Sequence, residues 1–236
     1  MKVFLYQSPN GYCYNSDSIF LYNFAREFKL KGNILDIGCG VGTLTALLAK
    51  DFKANFYCVE KQMQMYLYAK KNFQINKIKA KITNCDFKDY KSDIKFDFII
   101  SNPPFYRVDR HQSPNISKNI ARYEHHLPLN LLISKSSKLL KPKGYFIFCY
   151  DASLLDEILV ELKRASLSAE FLKFVHPKAN KEAKIVMITA RKGSKSRCKV
   201  LEPLIVFNSN NEYNIKAKEA FKNANTHSIK AEFEKS

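Results

Sequence analysis

Short apolar stretches alternate along the chain with segments that have the apolar spacing of helices. Seven of the stretches are rich in β-branched and aromatic residues and have the length of buried strands. Helix-like segments such as TLTALLAKDF and SLLDEILVELKRA lie between several of them. This alternation predicts an α/β fold with a mostly parallel seven-stranded sheet and helices on both faces. The predicted strands are NILDIG (33–38), FYCVE (56–60), AKITNCD (80–86), FDFIISN (96–102), GYFIFCY (144–150), FLKFVH (171–176) and KIVMITA (184–190).

The last two predicted strands are joined by the short polar link HPKANKEA. Parallel neighbours need a longer crossover connection, so this link predicts an antiparallel hairpin at the edge of the sheet.

Both ends of the chain carry structure outside the predicted sheet. DSIFLYNFAREFK predicts an amphipathic helix with Asp17 or Ser18 as its N-cap. LEPLIVF and EYNIKAKEAFKNA predict one more short strand and a polar helix after the sheet. We expect an N-terminal segment and helix in 1–32, the sheet core in 33–193, and a basic extension in 194–236, all within one compact domain.

The charge of the chain indicates a polyanionic partner. The 236 residues have a formal net charge of +17, and residues 176–199 alone hold eight Lys or Arg against one Glu. A solvated basic face is the plain alternative, but we favour an RNA-binding surface. No apolar run has the length of a membrane span and no secretory leader is recognisable, so we expect a cytoplasmic protein.

The cysteine pattern argues against two common structural devices. Six cysteines are scattered through the chain without a CxxC pair. This spacing favours buried free thiols over a zinc site or a disulfide framework. The adjacent His125 and His126 point in different directions in any regular structure, so we expect no metal.

A glycine-rich turn follows the first predicted strand and precedes a helix, which is the setting of a nucleotide-binding loop. The turn is LDIGCGVG (35–42), and a dinucleotide fingerprint would have its third glycine where Thr43 stands. The carboxylate of Asp36 would repel a pyrophosphate but attract an ammonium and a sulfonium. These features favour S-adenosylmethionine as cofactor, although Asp36 could instead only order the loop. The expected contacts in this region are Asp36, Gly38, Cys39 and Gly40.

Two further acids end the second and third predicted strands. Glu60 lies twenty residues beyond Gly40, where an acid commonly accepts hydrogen bonds from ribose hydroxyls. Asp86 has the corresponding place for the adenine amino group, with Phe87 beside the ring. A surface glutamate that caps a helix, and an aspartate that only forms a turn, are the respective alternatives.

SNPPFY (101–106) ends the fourth predicted strand and suggests a binding site for an amino group. The side-chain oxygen of Asn102 and the carbonyl of Pro103 can accept hydrogen bonds from an exocyclic NH2 and direct its lone pair toward a methyl donor. The prolines fix the backbone, and Phe105 can stack on a base. The alternative is a rigid turn with a core phenylalanine.

The glycine loop together with NPPF resembles the amino-methyltransferases. QSPNGYCYNSDSIFL, RYEHHLPLNLLISKSSKLLKPKGYFIF and FVHPKANKEAKIVMITARKG extend the resemblance over nearly the whole chain, to the bacterial tRNA(Val) N6-adenine methyltransferase family. The resemblance implies a Rossmann-like class I methyltransferase fold and a tRNA substrate methylated at an adenosine next to the anticodon. It also implies that the segment around 12–18, with Tyr14 and Asp17, folds over the cofactor.

We expect RNA contacts from the residues after the proline pair and from the basic hairpin. The long connection 105–126 is of the kind that is usually functional. The predicted contacts are Phe105, Tyr106, Arg107, Arg110, Lys178, Lys181, Arg191 and Lys192.

Three other functions compete with adenine methylation. Methylation of glutamine N5 in release factors usually goes with a helical substrate domain and a Tyr in place of Phe105. Methylation of guanine N2 in rRNA often goes with a duplicated domain, and no duplication is visible. A non-catalytic RNA-binding module would have no use for intact Asp36, Glu60 and NPPF.

Overall fold

The apolar stretches form strands as predicted. The computed structural model of the protein describes residues 1–9, 14–103 and 127–232. These residues form eleven strands, which are β1 (Val3–Gln7), β2 (Asn33–Ile37), β3 (Asn55–Glu60), β4 (Ala80–Asn84), β5 (Phe96–Ser101), β6 (Leu140–Asp151), β7 (Leu167–His176), β8 (Ile185–Lys192), β9 (Lys199–Val200), β10 (Leu204–Ile205) and β11 (Thr226–Lys230).

Nine of the strands make one sheet, in which β2 is the third strand from the β4 edge. β2 pairs in parallel with β3 on one side and with β5 on the other, and β4 and β6 continue the parallel part outward. The register aligns Ser101 with Ile37 of β2 and with Phe148 of β6. The carboxyl ends of these strands therefore meet at one edge of the sheet, where ligands bind in open α/β folds.

The predicted hairpin is present. β8 pairs antiparallel with both β6 and β7, so β7 runs in the direction of the parallel strands. The two-residue strands β9 and β10 pair in parallel with β7 and extend the sheet beyond the seven predicted strands. The mostly parallel sheet with its antiparallel hairpin is confirmed.

Six α-helices surround the sheet in the part of the chain that the structure describes. Since β2 to β3 and β5 to β6 step in opposite directions across the sheet, right-handed crossovers put their connecting helices on opposite faces. The helices are α1 (Ser16–Ala25), α2 (Thr43–Asp51), α3 (Met63–Ile75), α4 (Leu129–Leu139), α5 (Leu155–Arg164) and α6 (Ile215–Ala224).

Helix α1 begins before the predicted cap residues, so the N-cap prediction is wrong. The cap is Asn15, whose extended backbone lets its side-chain oxygen accept from the Ser18 N–H at 3.4 Å. Asp17 lies inside the first turn, where a negative charge interacts favourably with the helix dipole.

The two ends of the chain form a second, two-stranded sheet that the sequence did not suggest. β1 and β11 pair in parallel, with Val3 opposite Thr226. The side chains of Asn72 in α3 and of Asn76, directly after α3, bind the other side of β1. The Asn72 amide accepts from the N–H of Tyr6 and donates to its C=O, and the Asn76 amide does the same for Phe4. Side-chain amides thus take the place of a neighbouring strand.

The described cysteines are free thiols. Cys39, Cys58 and Cys149 are buried as expected, whereas Cys85 is half-buried and Cys198 is exposed, contrary to expectation. Cys85 follows the outermost strand β4 and packs against the edge of the core, and Cys198 lies in the connection between β8 and β9. Within 1–9, 14–103 and 127–232, no helix is long and apolar enough to cross a membrane.

Candidate active site

The glycine loop between β2 and α2 forms the floor of a cavity at the carboxyl edge of the sheet. Gly38 and Gly40 have φ of 67° and 57° and leave open space where a Cβ would stand. Gly42, with φ of 81°, has the Phe73 ring 2.7 Å from its Cβ position. The first two glycines therefore let a ligand approach the backbone, and the third allows α2 to pack against α3.

Asp36 is buried beneath this loop. Its carboxylate accepts a hydrogen bond of 2.7 Å from the hydroxyl of Thr45 in the first turn of α2. Burial raises the pKa of Asp36 to about 7, and the nearby Glu60 adds to the rise although Thr45 opposes it. Asp36 thus holds the first turn of α2, directly after the loop, and it also lines the cavity. A cationic ligand there would favour its ionised form.

Glu60 is buried at the end of β3 and holds the loop from the other side. Its two oxygens accept from the backbone N–H groups of Gly40 at 2.9 Å and Gln62 at 2.8 Å. Burial raises the pKa of Glu60, and these hydrogen bonds only partly offset the rise. Glu60 is therefore not an exposed helix cap, and the remaining lone pairs of its oxygens can accept from ligand hydroxyls.

Asp86 and Phe87 line the cavity beyond Glu60. Burial alone would raise the pKa of Asp86. Two contacts outweigh burial and hold that pKa below its usual range: an ion pair of 2.7 Å with Lys61 and a hydrogen bond from the Lys88 N–H. Asp86 caps the short 3-10 turn that follows, so the turn-forming role is present. The buried Phe87 ring has the Lys135 ammonium 5.2 Å from its centroid.

Asn102 reaches the same cavity from the end of β5. Its Nδ2 donates to the Ser18 hydroxyl at 2.9 Å, and its Oδ1 accepts from the Cys149 thiol at 2.9 Å. Pro103 follows directly and is buried. The structure thus brings Asn102 next to the predicted cofactor residues.

The structure agrees only in part with the expectation that the N-terminal segment contacts the cavity. Tyr14 and Ser18 line the cavity. Asp17 does not: its carboxylate accepts from Asn15 at 2.7 Å and from Ser16 at 3.4 Å, and burial raises its pKa. The first turn of α1 directs the Asp17 carboxylate toward the cap residues, so a direct cofactor contact from Asp17 has no support in this geometry.

The predicted RNA contacts divide into three groups. Phe105, Tyr106, Arg107 and Arg110 lie outside the described residues, as do Tyr12, Cys13 and Pro104. Lys178 and Lys181 lie in the turn between β7 and β8. Because β7 runs parallel to β6, this turn is at the same edge of the sheet as Asn102.

Arg191 and Lys192 lie at the opposite edge, which the sequence could not show. The Arg191 guanidinium donates to the carbonyl of Lys143 and stacks 4.8 Å from the Tyr145 ring centroid. The Lys192 ammonium donates to the carbonyl of Ser137 near the end of α4. β8 carries these two residues away from the cavity, so the basic stretch 176–199 is not one continuous face.

Sequence reasoning missed the side chains that hold the acids and the amide. Ser18, Thr45, Lys61 and Cys149 each bond a predicted site residue. Only Cys149 had a readable signal, since it stands at the end of the strand expected beside Asn102.

The cavity fits S-adenosylmethionine. Its lining combines two buried carboxylates, open backbone at Gly38 and Gly40, and the hydroxyl of Thr43, which is buried without a hydrogen-bond partner in the described residues. Carboxylates suit an ammonium and ribose hydroxyls, and Thr43 at the start of α2 offers a further polar contact.

Comparison with known proteins finds methyltransferases. The model of the methyltransferase small domain family matches residues 15–163. A tRNA1(Val) (adenine(37)-N6)-methyltransferase from Phocaeicola vulgatus is 29% identical over 183 residues, or 77% of this chain and 77% of that protein. A protein of the same name from Dyadobacter fermentans is 34% identical over 116 residues, or 48% of each chain.

Solved structures share the fold. A predicted O-methyltransferase from Agrobacterium tumefaciens superposes with a TM-score of 0.69 at 16% identity, covering 91% of this chain and 100% of that one.

Proposed function

The chain belongs to the methyltransferase small domain family, and from that premise we propose that it transfers a methyl group from S-adenosylmethionine to the exocyclic N6 amino group of an adenosine in tRNA. The observation that supports this most directly is the position of Asn102, at the mouth of a cavity that two buried carboxylates and the glycine loop form.

The cavity residues divide the binding of the cofactor among them. When bound, S-adenosylmethionine supplies an electrophilic methyl group on a cationic sulfonium. Asp36 would hold its ammonium, directly or through water, and Glu60 its ribose hydroxyls. Asp86 would accept from the adenine amino group alongside its ion pair with Lys61, and Phe87 would pack near the ring.

Asn102 and Pro103 would hold the target nitrogen. An exocyclic amino group is a poor nucleophile, because its lone pair is delocalised into the ring. Two acceptors, Oδ1 of Asn102 and the carbonyl of Pro103, can each accept a hydrogen bond from one N–H of this group. These hydrogen bonds orient the lone pair of the nitrogen toward the methyl group. Preorganised acceptors of this kind lower the barrier without reorganisation during the reaction. The surplus proton can leave to water after transfer, so no dedicated base is needed.

An RNA substrate is supported by charge and by the relatives. The chain carries a net charge of +17, and the turn with Lys178 and Lys181 lies at the edge of the sheet that holds Asn102. The named relatives are tRNA1(Val) adenine(37)-N6 enzymes. We extend that substrate, an adenosine beside the anticodon of tRNA(Val), to this chain, with a cytoplasmic location and tRNA as its partner.

The test is mass spectrometry of modified nucleosides. The protein is incubated with isotope-labelled S-adenosylmethionine and, separately, bulk tRNA, rRNA, DNA and a release factor. We expect label in N6-methyladenosine from tRNA alone. Label in N2-methylguanosine from rRNA, or in glutamine of the release factor, would overturn the proposal.

Two variants make this test specific for the amide. Asn102→Ala removes one acceptor of the target nitrogen and is expected to lower turnover by about a hundredfold or more, as for lost preorganised groups, while cofactor affinity by calorimetry changes little. Asn210→Ala, at an exposed residue that does not line the cavity, is the matched control and should match the wild type. Normal turnover in Asn102→Ala would remove Asn102 from the mechanism.

A further inference from the structure

The thiol of Cys149 donates a hydrogen bond of 2.9 Å to the side-chain oxygen of Asn102. The register of β5 and β6 pairs Ser101 with Phe148, so the next residues of the two strands, Asn102 and Cys149, stand side by side. Parallel neighbours at one level point to the same side of a sheet. The contact therefore follows from the strand pairing and does not depend on a loop.

The Cys149 thiol is held in its protonated form. It is fully buried, and burial together with the Asp17 carboxylate raises its pKa well above the usual range of a thiol. A protonated thiol is a hydrogen-bond donor, and the amide oxygen is its acceptor.

The other end of the amide does not select an orientation. Nδ2 of Asn102 donates to the Ser18 hydroxyl, but a hydroxyl can also donate to an amide oxygen. With the amide reversed, an N–H would face the sulfur, which is a weak acceptor. The thiol of Cys149 is therefore the group that favours the orientation in which the amide oxygen, and not the amide nitrogen, faces the sulfur.

We propose that Cys149 is a positioning residue, whose thiol hydrogen bond keeps Oδ1 of Asn102 turned toward the target amino group. This rests on the proposed function of Asn102. One lone pair of Oδ1 accepts from Cys149, and the second stays available for the substrate. A reversed amide would present N–H groups to an NH2 group and repel it.

Three substitutions separate positioning from packing. Cys149→Ser keeps a hydrogen-bond donor at the site, and Cys149→Val fills the space without a donor. Cys149→Ala removes the donor and also leaves a cavity. We expect Ser to stay within about threefold of the wild-type kcat, and Ala and Val both to fall about tenfold, the effect of one lost hydrogen bond. Cofactor affinity by calorimetry should change less than about twofold, because Cys149 does not line the cavity.

Cys198→Ala is the matched control, because that free thiol is exposed and outside the cavity. A merely structural role predicts a different order, with Val restoring both kcat and Tm and Ala lowering both. That order, or wild-type kcat in both Ala and Val, would overturn the proposal.

A spectroscopic measurement tests the contact without turnover. The side-chain amide signals of Asn102 in a nitrogen-15 spectrum are assigned by their loss in Asn102→Ala. They should shift in Cys149→Val and remain near the wild type in Cys149→Ser; unchanged signals in Cys149→Val would refute the contact. Wild-type protein that methylates none of the offered substrates contradicts the proposed function instead, and the amide spectrum still decides whether Cys149 holds Asn102.

Discussion

The hydroxyl of Tyr14 donates a hydrogen bond of 2.9 Å to Oγ1 of Thr226, which lies 212 residues further along the chain. Tyr14 lines the cavity, and Thr226 begins the C-terminal strand β11. The backbone N–H of Tyr14 also donates to the side chain of Gln7, which in turn donates to Ser228. The pairing of β1 with β11 thus holds one wall of the cavity in place.

Thr226→Val should weaken cofactor binding. Valine keeps the shape and strand preference of threonine but cannot accept from Tyr14, so the Tyr14 wall loses one anchor. We expect the Kd for S-adenosylmethionine to rise about three- to tenfold, the range of one hydrogen bond, with Tm nearly unchanged. Calorimetry measures the Kd.

The control for this prediction is Thr83→Val on the outer strand β4, where the side chain is exposed and does not line the cavity. Tyr14→Phe should reproduce the effect, and the double variant should be no worse than either single variant, because the same bond is removed. Fully additive effects would contradict this link.

The strands and the acids of the site could be predicted because each depends on local pattern. The carboxyl end of each apolar strand can be read from the sequence, and parallel strands bring those ends together. This is why the sequence indicated Asp36 near the end of β2, Glu60 at the end of β3 and Asn102 directly after β5. These inferences needed only the sequence and the rule that ligands bind at the carboxyl ends of parallel strands.

The remaining features depend on contacts between distant parts of the chain. THSIK in β11 alternates too weakly to stand out as a strand, and its partner β1 is more than two hundred residues away. The opposite placement of Lys178 and Arg191 follows from the direction of β8, which the charge count ignores. Thr45 and Ser18 meet Asp36 and Asn102 only through helix packing.

Asp36→Asn should stabilise the fold at neutral and alkaline pH. The folded pKa of about 7 lies above the ordinary value of 3.8, so ionising Asp36 opposes folding. This cost is absent below about pH 4, grows as the pH rises to about 7, and is constant above it. Asparagine carries no such cost and can still accept from Thr45. At pH 8 we expect the free energy of unfolding to rise by up to about 4 kcal/mol.

Urea unfolding of both proteins from pH 4 to pH 8 checks this prediction. The gain of Asp36→Asn should be small at pH 4 and largest above pH 7. Asp86→Asn is the control with the opposite sign: because its pKa is lowered by Lys61 and Lys88 despite burial, that substitution should destabilise the fold above pH 4. An Asp36→Asn gain that is independent of pH would contradict the raised pKa.

Cofactor affinity should fall as Asp36 becomes protonated. Only the ionised carboxylate attracts the cationic cofactor, and with a pKa of about 7 its ionised fraction drops steeply between pH 7.5 and 5.5. We expect the binding constant to fall by more than about tenfold over this range. Calorimetric titration at several pH values measures it. Asp36→Asn should bind weakly at every pH, and an equally steep pH dependence in that variant would assign the effect to another group.

The turn between β7 and β8 lies on the same edge as Asn102, which makes its lysines a test of RNA approach. Changing Lys178 and Lys181 together to glutamate should weaken tRNA binding and flatten its salt dependence. The slope of log K against log salt should become less negative by up to about 1.4, since each phosphate contact in single-stranded RNA contributes about 0.7.

Lys31 and Lys53 are a charge-matched control, because both are exposed and precede β2 and β3 at the opposite edge of the sheet. Reversing them changes the net charge by the same amount as reversing Lys178 and Lys181. If binding depended on overall charge alone, both pairs would weaken it equally and alter the salt slope equally. We expect filter binding across a salt series to show the larger loss for Lys178 and Lys181, because of these two pairs only Lys178 and Lys181 lie at the edge of the sheet that holds Asn102.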